Sequence, residues 1–334
     1  MTAAQLSRLR EIAGSLSGGK VLVVGDFMLD RYLYGDVSRI CPEAPVPVVD
    51  LRTIEHTAGG AGNVVANLSS LGGSALTLGL VGIDEEGEAL MALLQQRGAC
   101  VAGLLRDESR PTSVKSRVMA HNQQMLRLDR ETRTPVNGGT LRSLKKACDR
   151  AIGEADIVIL SDYAKGLLVP ELCRYAIARA LAFGKPCIVD PKGSDWHKYR
   201  SATGITPNLN ELTLMARHEL QSDEDIVEAA TALLASLAVE FVLVKRGPMG
   251  MSLFERDHGP RHIRARAAQV FDVTGAGDTV AATLALSLAA GATYYEAALI
   301  ANEAAGVVVS KPGTAMASTA EILARLPDAA TEAA

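Results

Sequence analysis

An aspartate behind a glycine-containing turn is the strongest candidate for chemistry in this sequence. Asp278 directly follows Thr274-Gly275-Ala276-Gly277, and a run of Ala, Leu and Val at helical spacing comes after it. Glycine has no Cβ, so this turn can bend sharply and approach a ligand closely. The free N–H groups of Gly275, Ala276, Gly277 and Asp278 at the positive end of the helix would form an anion site beside a carboxylate.

This arrangement suits phosphoryl transfer to an alcohol. The Asp278 carboxylate would take the hydroxyl proton, while the N–H groups would stabilise charge on the transferring phosphoryl oxygens. The alternative is that Asp278 only caps the helix and that the glycines only form the turn.

Two further acidic residues follow a buried strand near the start of the chain. Val21–Val24 is a β-branched apolar run, and Asp26 and Asp30 come just after it. Open α/β sheets place ligands at the carboxyl ends of their strands, and a carboxylate there can accept hydrogen bonds from sugar hydroxyls. Ordinary turn and cap chemistry of aspartate is the alternative.

A second glycine-rich segment precedes a helix pattern. Gly59-Gly60 would let a ligand lie against bare backbone, and Asn63, one turn into the helix, would offer an amide. Close packing of this helix on the sheet is the alternative explanation. The segment is neither a Walker loop nor a dinucleotide fingerprint, which disfavours those two nucleotide-binding folds.

Polar residues follow the later strands as well. Asp162, Asp190 and Lys192 come after strand ends, and Asn208 and Glu211 stand three apart at a helix start. An amide and a carboxylate there could order water around Mg²⁺ and nucleotide phosphates, although a plain N-cap is the competing account.

The elements that must position these residues follow a regular order. From residue 140 onward strands and helices alternate, which predicts a mostly parallel sheet covered by helices on both faces, an α/β fold. Segments 31–57 and 113–130 instead resemble short strands, with a proline in one of them that indicates an edge position. We expect these two insertions to form a small β lid on a single domain spanning 1–330, and the first of them to supply a dimer contact.

Composition excludes several classes of protein. The 334 residues are 48% hydrophobic with a formal charge of −4, which allows an ample core and argues against nucleic acid as the main partner. No apolar run is long enough for a membrane span or a signal peptide. The five cysteines are scattered, and the histidines make no metal-binding spacing. We therefore expect a cytoplasmic protein with no membrane partner.

The two glycine-rich motifs together resemble a known family. GGAGNVVANLSSLGG and DVTGAGDTVAATLALSL are similar to the two signatures of PfkB-type, ribokinase-like sugar kinases, and NLNE and KRGPMG agree with that family in type and spacing. The resemblance covers nearly the whole chain and implies a ribokinase-like three-layer α/β/α fold. More narrowly, DRYLYGDVSRICPEAPVPVV, RVMAHNQQMLRLD, SDYAKGLL and VDPKG resemble the members that act on D-glycero-β-D-manno-heptose 7-phosphate in lipopolysaccharide synthesis.

The resemblance implies roles for individual residues. Asp278 matches the catalytic base, and Gly275, Ala276 and Gly277 match the anion hole. The sugar-facing positions match Asp26, Asp30, Gly59, Gly60 and Asn63, and Lys192 is the candidate for contact with an anionic group. The positions along the nucleotide match Asn208, Glu211, Lys245, Gly247, Gly250 and Asn302, with Glu211 reaching Mg²⁺ through water. Family members often have Thr at the position of Lys245.

The implied activity is ATP-dependent phosphorylation of the anomeric hydroxyl of the heptose 7-phosphate, with Mg²⁺ as cofactor. Many relatives also bind a monovalent cation near the anion hole, and the sequence leaves that question open for this chain. Some relatives are fused to a nucleotidyltransferase, and we expect this chain to be the kinase alone, as a homodimer. The alternatives are a kinase for another sugar or nucleoside, and a catalytically silent binding module.

Overall fold

The computed structural model describes residues 2–121, 123–266 and 270–326, so both ends of the predicted domain range 1–330 lie outside the described residues. Within that part of the chain, nine strands form one large sheet. In spatial order they are β13 (His258–Ile263), β12 (Met251–Glu255), β11 (Phe241–Lys245), β10 (Gly204–Ile205), β9 (Cys187–Asp190), β8 (Ile157–Ser161), β1 (Lys20–Gly25), β4 (Ser74–Gly82) and β5 (Cys100–Asp107). The pairings of β12 with β11 and β13 are antiparallel and the other pairings are parallel, which confirms the mostly parallel sheet.

The central strand β1 shows why the sheet lies between two layers. Successive side chains of a strand point to opposite faces. Val21 and Val23 accordingly pack into the core on one face, and Leu22 and Val24 pack into the core on the other. The unbroken apolar run of β1 is therefore what a strand covered on both faces needs.

Helices cover both faces. One layer contains α1 (Ala3–Gly14), α2 (Ala61–Ser70), α3 (Glu85–Gln96), α8 (Ala276–Ala289), α9 (Tyr294–Val308) and α10 (Thr319–Arg325). The other contains α4 (Gly138–Glu154), α5 (Pro170–Ala182), α6 (Leu209–Ala216) and α7 (Asp223–Leu237). The predicted three-layer α/β/α architecture is confirmed.

Helix α8 lies inside the molecule. Its residues from Asp278 to Ser287 are all buried, as expected for a helix that is apolar on every side. Among the described helices, none combines the length and the apolarity that crossing a bilayer would require.

A second sheet of four strands stands apart from the large one, and we call it the small sheet. Its strands in spatial order are β3 (Pro47–Gly60), β2 (Phe27–Ile40), β6 (Ser113–Ala120) and β7 (Gln123–Arg130). The two predicted insertions both belong to it, and Pro47 begins an edge strand. The first insertion is longer than predicted: β2 starts two residues after β1 ends, and β3 runs directly into α2, because the β2–β3 pairing continues to Phe27 and Gly60. Asp30 and Gly59 therefore lie on the small sheet.

The sequence pattern did not predict the outer strands β5, β12 and β13. In β13 only Ile263 is buried, so this strand shows no apolar alternation that a pattern search could detect.

Candidate active site

A cavity of about 160 Å³ lies where β8, β9 and β11 end, next to the start of α8. This is the edge at which open parallel sheets hold their ligands. Several of the predicted site residues line this cavity: Lys192, Asn208, Glu211, Lys245, Gly275, Gly277 and Asp278. The fold thus brings together residues from four separate strand ends and helix starts.

Asp278 is held from two sides at the floor of the cavity. Its Oδ2 accepts a hydrogen bond of 2.7 Å from the Asn63 amide, and its Oδ1 accepts one of 2.7 Å from the Tyr163 hydroxyl. Burial raises the pKa of Asp278 to about 6, and nearby Asp190 adds to the rise, while Tyr163, Asn63 and Lys245 oppose it. The carboxylate is therefore fixed in place and mostly ionised at neutral pH.

The turn before α8 requires glycine. Gly275 has φ of 79°, in the left-handed region, and a Cβ there would lie 2.6 Å from the Asn63 amide nitrogen. The Ala276 N–H, which was expected to be free to bind an anion, instead donates to the Val273 carbonyl at 3.2 Å within the tight turn. Within the described chain no acceptor is found for the N–H groups of Gly275, Gly277 and Asp278, so these three remain to bind an anion.

A largely buried ion pair lies beside this turn, its side chains 13% and 14% exposed. The Lys245 Nζ lies 2.6 Å from Asp190 Oδ1, and a Cβ on Gly277 would lie 3.2 Å from the same Nζ. Burial alone would lower the pKa of Lys245, but Asp190, Glu211 and Asp278 together outweigh it, and the pKa is raised. Lys245 therefore stays charged next to the free N–H groups, closer to the anion hole than its predicted place along the nucleotide suggested.

Asn208 and Glu211 form the helix cap that was the competing account of these two residues. Asn208 accepts from the Glu211 N–H at 2.8 Å, and Glu211 Oε2 accepts from the Asn208 N–H at 2.9 Å. The same Glu211 accepts from Lys192 Nζ through Oε1 at 2.9 Å. Because all three side chains also line the cavity, the cap and a ligand-binding role are compatible.

The predicted sugar-facing residues near the chain start do not line this cavity. Asp26 Oδ2 accepts the backbone N–H groups of Tyr163 and Lys165, at 2.9 and 3.1 Å. Burial, reinforced by Asp162, raises the pKa of Asp26 to about 6. Asp30 pairs with Arg117 of the small sheet at 2.8 Å. Asp26 thus anchors the backbone of Tyr163 and Lys165.

The glycines beside Asp30 and Asp26 are constrained by close contacts. A Cβ on Gly59 would meet the Asp30 carboxylate at 2.3 Å, and one on Gly60, where φ is 58°, would meet the Asp26 carbonyl at 2.5 Å. Gly60 therefore needs glycine, and a side chain at position 59 would force the Asp30 carboxylate to move.

Three predicted nucleotide-side residues lie outside the cavity lining. Gly247 and Gly250 flank the turn after β11, and both have positive φ. A Cβ on Gly250 would lie 2.0 Å from the Ile263 carbonyl, whereas Gly247 faces open space. Asn302 is buried in α9 and donates to the Arg264 carbonyl at 3.0 Å.

Tyr163 was not among the site residues predicted from the sequence. It lines the cavity and contacts Asp278, 115 residues away in the chain. The available signal was its place: it stands two residues after strand β8, at the same sheet edge as Asp190.

Comparisons with known proteins agree with this geometry. Residues 19–321 match the model of the pfkB family carbohydrate kinases. The bifunctional protein HldE of Gluconacetobacter diazotrophicus is 48% identical over 306 residues, which are 92% of this chain and 63% of that protein. The protein of the same name from Caulobacter vibrioides is 45% identical over 317 residues, 95% of this chain and 65% of that protein. This chain therefore spans a little under two thirds of these relatives.

Solved structures share the fold. Arabidopsis thaliana ribokinase complexed with ribose and ATP matches with a TM-score of 0.73 and 23% identity, covering 92% of this chain and 98% of that one. Escherichia coli phosphofructokinase-2 in complex with fructose-6-phosphate matches with a TM-score of 0.74 and 22% identity, covering 92% and 99%. From the family match over most of its length, the chain belongs to the pfkB family of carbohydrate kinases, a family of ATP-dependent sugar kinases.

Proposed function

We propose that this chain uses ATP to phosphorylate the anomeric hydroxyl of D-glycero-β-D-manno-heptose 7-phosphate, giving the 1,7-bisphosphate. The observation that carries the proposal is the Asp278 carboxylate, buried in a polar cavity beside three free backbone N–H groups. A buried carboxylate beside an anion hole places a base and a stabiliser of phosphoryl charge within one small space.

Asp278 is the proposed general base. Each carboxylate oxygen has two lone pairs, so both oxygens keep one after bonding to Tyr163 and Asn63. One of these accepts the hydroxyl proton while the sugar oxygen forms its bond to the terminal phosphorus of ATP and the bond to ADP breaks. With a pKa of about 6, Asp278 is ionised at neutral pH and remains a competent base.

The anion hole and Lys245 act on the transferring phosphoryl group. The N–H groups of Gly275, Gly277 and Asp278 donate to its oxygens, and the charged Lys245 amino group beside Gly277 adds electrostatic stabilisation. These groups are already in place before substrate binds, so they need little reorganisation during the reaction.

Glu211 and Asn208 fit an indirect role in binding Mg²⁺. Both Glu211 oxygens already accept one hydrogen bond, which leaves lone pairs for water and not a dedicated metal cage. Mg²⁺ typically keeps several of its waters, which suits contact through water. When bound, Mg²⁺ would neutralise charge on the nucleotide phosphates. Lys192, beside Glu211, is the proposed contact for an anionic group.

The heptose 7-phosphate assignment rests on sequence. The motifs SDYAKGLL and VDPKG and the small-sheet segments resemble the heptose 7-phosphate branch of the family. The relatives named HldE are described as bifunctional, and this chain matches only part of their length. The proposal therefore concerns the kinase reaction alone.

The small sheet is the proposed lid and dimer contact. Register places Leu33, Ile54, Val118 and Leu126 in one row across its four strands. Ile54 and Leu126 are 50% and 53% exposed, so this row offers an apolar surface that a second copy could cover. Closure of the opposite, polar side over the cavity would exclude water from the phosphoryl group.

An acceptor panel in an ADP-release assay tests the substrate. The panel pairs the heptose with and without its 7-phosphate, and adds ribose and fructose 6-phosphate. We expect the highest kcat/KM for the heptose 7-phosphate and a large loss without the phosphate. Faster turnover of ribose or fructose 6-phosphate would replace the proposed substrate while leaving the kinase chemistry intact.

A further inference from the structure

We propose that Tyr163 is a positioning residue for the base: its hydroxyl, together with the Asn63 amide, holds the two oxygens of Asp278 in one orientation and stabilises their negative charge. This inference rests on the proposed role of Asp278 as the general base.

The contacts divide the carboxylate between two donors. Tyr163 donates to Oδ1 and Asn63 donates to Oδ2, each at 2.7 Å. Two donors on opposite oxygens fix both the position and the rotation of a carboxylate, because neither oxygen can swing away without breaking a hydrogen bond. The lone pair left on each oxygen then has a fixed direction, as proton transfer from a bound hydroxyl requires.

Two buried carboxylates hold the backbone of residues 162–165, which we call the Tyr163 loop. Asp26 Oδ2 accepts from the N–H groups of Tyr163 and Lys165, and Asp162 Oδ1 accepts from the Ala164 N–H at 2.7 Å. Ala164 has φ of 56°, in the left-handed region that a side chain rarely adopts. Such a conformation persists only where the surroundings hold it. Asp26 therefore acts on the base through the Tyr163 loop.

Tyr163 lowers the pKa of Asp278, so the loss of its hydroxyl can be measured through that pKa. The groups that face Asp278 are Tyr163 after β8, Asn63 from α2, Asp190 at the end of β9 and Lys245 at the end of β11. Burial and Asp190 raise the pKa of Asp278, and the other three groups lower it. Burial and the charge of Asp278 raise the pKa of Tyr163 well above its usual value, so its hydroxyl remains a donor throughout the assay range.

The test is the pH profile of kcat/KM, which reports groups of the free enzyme. Tyr163→Phe keeps the ring and removes the donor. Losing a hydrogen bond to a charged group should move the acidic limb upward by about one pH unit. At pH 6 the variant should then keep about one tenth of its plateau kcat/KM, whereas the unmodified protein keeps about one half. A sugar phosphate also titrates near pH 6, so the shift is read as a difference between variants with one substrate.

Tyr175→Phe is the matched control. Tyr175 also donates to a carboxylate, Asp149 Oδ2 at 2.8 Å, but between α4 and α5, away from the cavity. Its pH profile should equal that of the unmodified protein. Site-specific 3-fluorotyrosine at position 163 keeps the hydrogen bond and makes the phenol a stronger donor, so the limb should move to lower pH. This second variant also answers the question if Tyr163→Phe folds poorly.

The outcomes separate this inference from the proposed function. Asp278→Asn with near-normal turnover would remove the base and with it the proposed chemistry. An inactive Asp278→Asn together with unmoved limbs for both Tyr163 variants would overturn the positioning role alone. A uniform loss of kcat at every pH, with a lower melting temperature and no shift, would make Tyr163 a purely structural residue and would also overturn it.

Discussion

Replacing Asp278 by asparagine should abolish most activity while making the fold more stable. A general base contributes about 10²–10⁴ in rate, so we expect kcat to fall by that factor. The new asparagine has the shape of the aspartate and can keep both hydrogen bonds at position 278. Its side-chain oxygen can accept from the Asn63 amide, and its NH₂ group can donate to the Tyr163 hydroxyl, which also accepts hydrogen bonds. ATP binding should therefore change little.

The gain in stability follows from the pKa of Asp278. Burial raises it from 3.8 to about 6, and since each pH unit corresponds to about 1.4 kcal/mol, ionising this group costs about 3 kcal/mol more in the folded protein than in the unfolded chain. A carboxyl group with a raised folded-state pKa stabilises the fold when protonated, and that stability is lost as the pH rises from about 4 to about 6. The neutral Asn avoids this loss. At pH 7 the variant should be more stable by up to about 3 kcal/mol.

Two measurements check the predicted loss of kcat and the predicted gain in stability. Steady-state ADP release gives kcat, and urea unfolding at pH 7 gives the free energy of unfolding of both proteins. Asp149→Asn, whose parent side chain pairs with Arg179 and Tyr175 away from the cavity, is the control for kcat and should leave it unchanged. Turnover within about ten-fold of the parent would contradict the role of Asp278 as base. A variant clearly less stable than the parent at pH 7 would contradict the account of its burial.

Three other substitutions test the turn before α8, the ion pair beside it and the small sheet. Gly275→Ala puts a Cβ 2.6 Å from the Asn63 amide nitrogen at a φ of 79°, so we expect the free energy of unfolding in urea to fall by about 1–3 kcal/mol and kcat to fall as well. An unchanged urea midpoint of unfolding would show that the turn relaxes freely. Lys245→Met leaves Asp190, whose side chain is 14% exposed, without its cation. Because the pair faces the cavity and is not fully buried, the loss in free energy of unfolding should be at most about 3 kcal/mol, the lower end for a fully buried pair, and adding Asp190→Asn should partly recover it. Strictly additive losses would count against a coupled pair. Leu126→Lys places a charge on the apolar row of the small sheet, where Leu126 is 53% exposed, and sedimentation should show a monomer. A persistent dimer would locate the contact elsewhere.

Local features of the sequence determined much of the architecture and part of the site. The apolar run of β1 and the apolar residues of α8 can be recognised from the sequence alone. A strand buried on both faces and a helix buried on all sides both require such runs. Asp278 and the glycine turn before it are likewise local, since a helix start and its free N–H groups are made by neighbouring residues. The βα alternation and the two small-sheet insertions follow from the same kind of pattern.

Tertiary structure decided which distant residues meet. Tyr163 reaches Asp278, and Lys245 pairs with Asp190, only because β8, β9 and β11 end at the same edge of the sheet that α8 approaches. A hydrogen bond acts over about 3 Å, whereas sequence periodicity describes how one segment is buried and not which strands become neighbours. For the same reason Asp26 could be recognised as a residue at a strand end, while its bonds to the backbone of the Tyr163 loop could not be predicted from the order of the residues.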